Sequence, residues 1–288
     1  MGNTISREKG DAPSIPFLKR AVELDPNFPL AYSGLAISYV NLGQVSLALE
    51  YATKAYELRD QVTEREKLSI SASYFDATGE LEKETQTYEL WTVNYPRDRA
   101  PHNNLGVNYL FIGHYEKALA ECQESLQLAP DDVDVYANLG RIYLYLNRLD
   151  EAKAEFDQAL ARKLDGLGLR VGMYHLAFLR GSSAQMEQQV AWGAGKPEEE
   201  DMMLGMQSQT EAYYGRQSKA RDFARRAMDS AIRAGSKEIA ALYQADTATR
   251  DAEFGNTAAA KQGVKDALRL AQGYSFSKVL AALALARV

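Results

Sequence analysis

The sequence contains one cysteine and no apolar run long enough to cross a bilayer. Cys122 cannot form an internal disulfide bond, so we expect a reducing compartment and a cytoplasmic protein. The first ten residues lack the apolar core of a signal peptide. The longest nearly apolar stretch, VLAALALA at 279–286, is far shorter than the roughly 20 residues that a membrane-spanning helix needs. We therefore predict no membrane insertion.

Positive charge is also scarce. The formal net charge is −6, and lysine and arginine are scattered along the chain rather than gathered in a stripe. Proteins that hold nucleic acid normally present a basic surface to the phosphates, so we do not expect nucleic acid as a partner. The apolar and charged fractions, 46% and 25%, are those of an ordinary globular protein, which predicts a folded chain over most of its length.

Catalytic motifs are missing as well. The segment GAGK at 193–196 resembles a phosphate-binding loop, but Pro197 stands where that motif needs serine or threonine. The chain has neither the His-Arg-Asp nor the Asp-Phe-Gly motif of protein kinases. The three histidines, His102, His114 and His175, have no partner at metal-ligand spacing, so we expect solvated or helix-capping side chains. These absences predict a protein that is not an enzyme and has no catalytic residues, cofactor or metal.

What the sequence does contain is a repeat with a period of 34 residues. When Leu105-Gly106 is aligned with Leu139-Gly140, Tyr109 falls on Tyr143, Ala118 on Ala152 and Cys122 on Phe156. The same frame extends upstream to Leu35-Ala36 and Tyr39. It continues more weakly downstream, where Ala227, Ala260, Val264 and Ala267 take the core positions.

The spacing of the apolar and small residues within each repeat predicts two helices. Ala48, Ala52 and Ala55 recur at i, i+4 and i+7, so they form one stripe on a helix. Between the two helices of a repeat stands NLGQ, ATGE, FIGH or YLNR, in which glycine or asparagine predicts a left-handed residue at the helix end. The small residues of the pattern predict close contact between paired antiparallel helices.

The run Leu-Gly, Tyr, Ala, aromatic and Pro at this period resembles the tetratricopeptide repeat, most specifically at 101–160. The resemblance implies an all-α fold, a right-handed superhelical solenoid of antiparallel helix pairs. We expect about eight repeats over 1–288, regular in 1–164 and degenerate in 165–288, with the first and last repeats truncated. It also implies a non-catalytic scaffold that binds a peptide or a partner protein.

A narrower resemblance adds an alternative function. Phrases such as IPFLKRAVELDPNFPLAY and YPRDRAPHNNLGVNY are similar to the repeat segments that follow the kinase domain in some bacterial serine/threonine protein kinases. This resemblance implies a regulatory, sensing or substrate-positioning segment of a larger signalling protein. It does not imply that this chain transfers phosphate.

Three residues are candidates for peptide binding. Asn104 and Asn138 stand one repeat apart, each before a Leu-Gly pair, on the first helices that line the groove in this family. Their amides can donate and accept hydrogen bonds, which suits an extended peptide backbone, and Arg141 could contact a carboxylate. The alternative is that the asparagines bond between neighbouring helices. Chaperone-tail binding is not expected, because the lysine, asparagine and arginine set that it needs is incomplete.

The degenerate part of the chain raises two structural questions. Glu211 and Asp251 replace the expected tyrosine, so we expect them either to turn outward or to pair with a neighbour such as Arg250. Six glycines between 165 and 201 weaken helix propensity and could bend the stack there. The acidic run from Glu198 to Asp201 predicts a helix N-terminus, where negative charge is favourable.

Both ends of the sequence suggest a fragment of a longer protein. The opening MGNTIS resembles a myristoylation signal, but the 34-residue frame aligns Gly2 with the small residue of the repeat, which favours a helix. The closing FSKVLAALALARV resembles a first helix with no second helix after it. We therefore expect exposed apolar surface at this C-terminal helix, covered either by further sequence or by self-association.

Overall fold

The computed structural model describes residues 11–196, 199–270 and 275–287, and the described part of the chain is all-α. The prediction for Gly2 and Ser6 lies outside these residues. The chain forms two compact units: residues 52–191 make one, and Met1–Tyr51 together with Trp192–Val288 make the other. The predicted division into regular repeats over 1–164 and degenerate repeats over 165–288 remains a prediction.

Sixteen α-helices and one short 3-10 helix, Arg59–Gln61, form the described residues. The helices are α1 Asp11–Leu24, α2 Pro29–Asn41, α3 Val45–Glu57, α4 Glu64–Thr78, α5 Leu81–Asn94, α6 Arg99–Phe111, α7 Tyr115–Leu128, α8 Val133–Tyr145, α9 Leu149–Ala161, α10 Leu167–Leu179, α11 Ser183–Gly193, α12 Glu199–Tyr213, α13 Gln217–Arg233, α14 Lys237–Glu253, α15 Thr257–Leu270 and α16 Ser275–Ala286.

The helix bounds repeat with the period of the sequence. Helices α6, α8 and α10 begin at Arg99, Val133 and Leu167, each 34 residues after the one before. The turn after each first helix contains a left-handed residue, as predicted: φ is +80° at Gly113 and +57° at Asn147. The sequence pattern therefore sets both the length of each helix and the place where it ends.

The unit of residues 52–191 has one continuous apolar core. Its first helices stand side by side, α6 against α8 and α8 against α10, and each second helix packs on the first helix of the next repeat. Gly106 and Gly140 allow the paired helices to meet, because a Cβ atom on either would collide with Cys122 or Phe156. The core is built mainly from Leu68, Tyr88, Trp91, Leu105, Tyr109, Ala118, Cys122, Tyr136, Leu139, Ile142, Tyr143, Ala152, Phe156 and Leu169.

The glycines between 165 and 201 do not prevent regular helices. Helix α10 contains Gly168 and Gly172, and a Cβ atom on Gly172 would lie 2.6 Å from the Phe156 ring. Gly181 and Gly195 have φ of +69° and +74° and lie outside the helices. The weak helix propensity of this stretch is offset by close packing, since Gly172 allows α10 to approach Phe156.

The other unit packs its helices through alanine. Ala220, Ala224 and Ala227 are buried on α13, and α14 buries five further alanines. Ala227, Ala260, Val264 and Ala267 are buried, as the weaker part of the repeat frame predicted. Glu199, Glu200 and Asp201 begin α12, as predicted, whereas Glu198 lies outside the described residues. Glu200 accepts hydrogen bonds from Ser230 and Arg233.

The two unusual carboxylates are buried and paired. Glu211 receives two hydrogen bonds from Arg216, and Asp251 receives two from Arg221. Pairing was one of the two expected outcomes, but the suggested partner was wrong: Arg250 pairs with Asp246, one turn away on its own helix. Arginines from the turn after α12 and from α13 therefore satisfy the carboxylates that stand where the repeat has tyrosine.

The expectation of a solvated or capping His102 was also wrong. The imidazole is buried, with Nδ1 2.7 Å from Glu121 Oε2 and Nε2 3.1 Å from the Pro96 carbonyl oxygen. The histidine thus links α6 to α7 and to the turn before α6. The sequence spacing could not show this, because Glu121 lies on the second helix of the repeat.

Candidate functional site

Helices α6, α8 and α10 present a shared surface that we call the first-helix face. Residues four apart on one helix lie on the same side, so Val107 and Phe111, Arg141 and Tyr145, and His175 and Leu179 each mark one side of their helix. Because α8 contacts both α6 and α10, we define the first-helix face by these six residues.

A chain of hydrogen bonds links three helices next to this face. Arg141 Nη2 donates to Asn138 Oδ1 at 3.0 Å, and Asn138 Nδ2 donates to Asn103 Oδ1 at 2.9 Å. Asn103 Nδ2 in turn donates to Asn104 Oδ1 at 3.2 Å, and Asn104 Nδ2 donates to the Tyr88 hydroxyl at 2.9 Å. The chain runs from α8 through α6 to α5, and it fixes the side chains relative to one another.

Arg141 carries the main charge of this surface. Its guanidinium is half-buried and donates to Asn138, and no carboxylate among the described residues forms an ion pair with it. Burial lowers the pKa of Arg141, which nevertheless keeps its charge at neutral pH. Asp134, on the same helix, interacts with it electrostatically, but burial raises the pKa of that carboxyl. A cation of this kind can donate further hydrogen bonds to an anion.

His175 lies on the same face on α10. Its side chain is in contact with solvent on one side and with protein on the other. The partial burial lowers the pKa of the imidazole, and the positive charge of Arg141 lowers it further. The histidine is therefore neutral at pH 7. Its ring can donate or accept one hydrogen bond without adding charge, so Arg141 remains the charged group of this surface.

The three predicted site residues belong to the same hydrogen-bonded chain, but Asn104 and Asn138 do not contact each other directly. Asn103 joins them, and the sequence interpretation did not name it as a site residue. The repeat pattern did not single out Asn103, because the equivalent position in the next repeat is Ala137. Asn138 is buried, and its amide donates a hydrogen bond to Asn103 and accepts one from Arg141. The bond to Asn103 joins α8 to α6, which is the alternative that the asparagines bond between neighbouring helices.

Metal-binding side chains and the cysteine were the other candidates for a functional site in the described residues. No group of three or more histidine, cysteine, aspartate or glutamate side chains is arranged to hold a metal ion within the described ranges. Cys122 is buried, as predicted, and burial raises the pKa of its thiol to about 12. The thiol is therefore protonated and packs as a small apolar side chain.

Comparison with known protein families gives a match to part of the repeat region. A family model described as tetratricopeptide repeat matches residues 113–166, the segment from the turn before α7 to the turn before α10. Residues 113–166 are therefore similar to tetratricopeptide repeats. A search of curated protein sequences gave no significant match.

Solved structures extend the likeness of the fold over nearly the whole chain. The Thermus thermophilus tetratricopeptide repeat protein TTC0263 is 24% identical, with a TM-score of 0.51 over 62% of this chain and 95% of that one. The APC/C hetero-tetramer Cut9–Hcn1 matches at 11% identity, with a TM-score of 0.63 over 99% of this chain and 54% of that one. Human IFIT1, solved as a dimer with m7Gppp-AAAA, matches at 16% identity, with a TM-score of 0.62 over 91% and 68%.

These likenesses confirm the predicted fold class, an all-α helical repeat solenoid. At such identities they show the fold alone. None of the helices described in this chain combines the length and the apolar character needed to cross a membrane.

Proposed function

We propose that this protein is a non-catalytic scaffold that binds an extended peptide segment of a partner protein on the first-helix face. The single observation that carries the proposal is Arg141, a half-buried guanidinium held by Asn138 and without an ion pair to a described carboxylate. A half-buried cation that forms no ion pair costs free energy in the unliganded protein, and a carboxylate of the peptide would pair with it.

The asparagines have a supporting role in this proposal. Asn138 fixes the guanidinium of Arg141, while Asn104, bonded to Tyr88, anchors the far end of the hydrogen-bonded chain. Arg141 is the residue that contacts the ligand, and its free donors point to an acidic peptide. No cofactor is needed, and the net charge of −6 supports a protein partner rather than nucleic acid.

Substitution of Arg141 tests the proposal. An array of peptides with and without acidic residues is probed with the protein and with Arg141→Gln. We expect the variant to bind acidic peptides at least about tenfold more weakly, because a hydrogen bond to a charged group contributes about 1.5–3 kcal/mol. Arg148→Gln, an exposed arginine in an ion pair with Glu151, is the matched control and should bind as the unmodified protein does.

Circular dichroism and the thermal midpoint establish that both variants are folded. Equal binding of acidic peptides by Arg141→Gln and by the unmodified protein would remove Arg141 from the site. In a second arm, Asn104→Ala combined with Asn138→Ala should also weaken binding, since the guanidinium would lose its support.

The alternative function, a regulatory or substrate-positioning segment of a bacterial serine/threonine kinase in the cytoplasm, rests on the sequence resemblance alone. Under either function, the chain by itself should not transfer phosphate from ATP. The lone buried Cys122 supports the cytoplasm as the compartment in both cases.

We also propose self-association through α16. Leu283 and Leu285 of this helix are 44% and 48% exposed, whereas Ala281 and Ala284 pack inward against Ala248 and Val264. Each of these leucines exposes a large apolar side chain that a second copy of the chain could cover.

A further inference from the structure

Three large apolar side chains are exposed at the last residue of α6, α8 and α10. Phe111 is 69% exposed, Tyr145 61% and Leu179 52%, and they stand 34 residues apart along the chain. Monomeric proteins scatter single exposed apolar residues over the surface. Here one occurs at the same position of each of three successive repeats, and we call this set the apolar column.

The apolar column continues the first-helix face. Phe111, Tyr145 and Leu179 each lie four residues after Val107, Arg141 and His175, so they share the side of the helix on which the proposed site stands. Arg141 and Tyr145 also interact electrostatically. The column and the cation therefore belong to the same surface.

The central side chain of the column is held in place. The Tyr145 ring stacks on the Tyr115 ring with 5.7 Å between centroids and 26° between planes. Tyr115 is itself half-buried and packs against the core of its unit. An exposed aromatic ring that is already oriented loses little conformational freedom on binding, which is typical of residues that contribute most to protein interfaces.

The spacing of the column fits an extended chain. Packed helices lie roughly 8–10 Å apart, so successive members of the column should be separated by about that distance. A segment in the polyproline II conformation is also extended, with three residues per turn and an advance of about 3.1 Å per residue, so every third side chain lies on the same side, about 9 Å further along. Every third side chain of an extended peptide would meet the next member of the column.

We propose that the partner of the first-helix face is a protein segment in the extended polyproline II conformation, with large apolar side chains at i, i+3 and i+6 and an acidic residue beside the central one. The apolar side chains contact Phe111, Tyr145 and Leu179, and the acidic side chain reaches Arg141. This inference rests on the proposed function and adds the spacing that the partner must have. Charge complementarity supports an acidic partner, because Arg141 is positive and forms no ion pair with a described residue.

The experiment selects from a library of random nine-residue peptides with the unmodified protein as bait. Selected peptides should be enriched in large apolar residues at i, i+3 and i+6, with aspartate or glutamate next to the central one. Fluorescence anisotropy then measures one selected peptide against Phe111→Ser, Tyr145→Ser and Leu179→Ser. The control is Val93→Ser, which removes a side chain that is 76% exposed on α5.

We expect each substitution in the column to weaken binding by about tenfold, while Val93→Ser leaves it unchanged. A peptide with its apolar residues moved to i, i+2 and i+4 should bind more weakly than its parent. Selection without the i, i+3, i+6 pattern, or equal binding by the column variants and the unmodified protein, would overturn the inference. Because the three side chains are exposed, circular dichroism should show folded variants.

Two further arms separate the inference from the proposed function. If Arg141→Gln weakens binding of the acidic peptide and the column variants do not, the apolar column is not part of the binding site and the proposed function stands. If the protein forms a dimer that Tyr145→Ser disrupts, the column binds a second copy of the chain, and the inference is overturned. If a selected peptide binds the column variants more weakly but binds Arg141→Gln as well as the unmodified protein, the column belongs to the binding site and Arg141 does not.

Discussion

Single residues decide how the helices of this protein are joined. Positions 102, 136 and 170 are 34 residues apart and carry histidine, tyrosine and arginine. The His102 imidazole and the Tyr136 hydroxyl each reach the carbonyl of the proline six residues earlier, Pro96 and Pro130. Arg170 donates to Gln189 on the next helix. Three chemically different side chains thus link a first helix to its neighbours, because each places a polar atom within reach of a hydrogen-bond partner outside its own helix.

Glu84 is a buried residue whose charge should affect stability. Its carboxyl is buried, and burial, together with the nearby Asp76, raises its pKa to about 7, while Asn108 opposes the shift. In the unfolded chain the pKa is close to the ordinary value of 4.5. At this carboxyl the folded state therefore binds a proton more tightly than the unfolded state, so the contribution of Glu84 to stability is greatest below pH 4.5 and falls as the pH rises to about 7.

We predict that Glu84→Gln makes the protein more stable than the unmodified chain at pH 8. The gain should be up to about 3 kcal/mol, from roughly 1.4 kcal/mol for each unit of pKa shift. Urea unfolding between pH 5 and pH 8 measures it, and the variant should lose much of the pH dependence. Glu82→Gln, on the exposed side of the same helix, is the control and should keep the slope. An unchanged slope in Glu84→Gln would contradict the prediction.

At the scale of the helices, the ends are specified more clearly than the interiors. Most turns contain a glycine with positive φ, but Lys163, after α9, adopts φ of +63°. A side chain with a Cβ atom is strained in the left-handed region by about 1–2 kcal/mol, and glycine is not. The protein therefore keeps strain at this helix end.

Lys163→Gly should raise the free energy of unfolding by about 0.5–1 kcal/mol, because part of the relief is offset by the greater freedom of glycine in the unfolded chain. Lys163→Ala removes the charge and keeps the Cβ atom, so it should show no gain. Chemical unfolding of the two variants in parallel distinguishes strain from charge. If both variants change stability equally, the backbone conformation is not the cause.

At the scale of the whole molecule, repetition is not the only organising principle. In a solenoid each repeat contacts its neighbours along the chain. In the unit formed by Met1–Tyr51 and Trp192–Val288, however, the Ser236 hydroxyl donates to the Leu42 carbonyl oxygen at 2.5 Å, across 194 residues of sequence. Gly43 lies next to Ile239, so close that a Cβ atom there would be 2.5 Å from the isoleucine side chain. The turn after α2 thus packs on the beginning of α14.

The exposed leucines of α16 give a prediction for the assembly. If this helix mediates self-association, the mass measured by light scattering should rise with protein concentration. Leu283→Glu combined with Leu285→Glu should lower that mass to the monomer value, because two buried charges oppose the contact. Val93→Glu, at an exposed position on α5, should have no effect. A constant monomer mass for the unmodified protein would rule out association through α16.

The sequence by itself determined the helical repeat, the helix ends and the residues of the core. A period of 34 residues with small residues at fixed places is a local pattern, and local patterns specify helices, turns and the side that packs. The candidate residues Asn104, Asn138 and Arg141 were also found in this way, since their positions follow the repeat.

Only the tertiary structure decided which polar groups meet. The link through Asn103, the pairing of Glu211 with Arg216 and of Asp251 with Arg221, and the contact of Ser236 with Leu42 each depend on how the backbone and side chains are arranged in three dimensions. The physical reason is that apolar burial follows a periodic pattern along the chain, whereas a hydrogen bond depends on the direction and distance of two individual atoms.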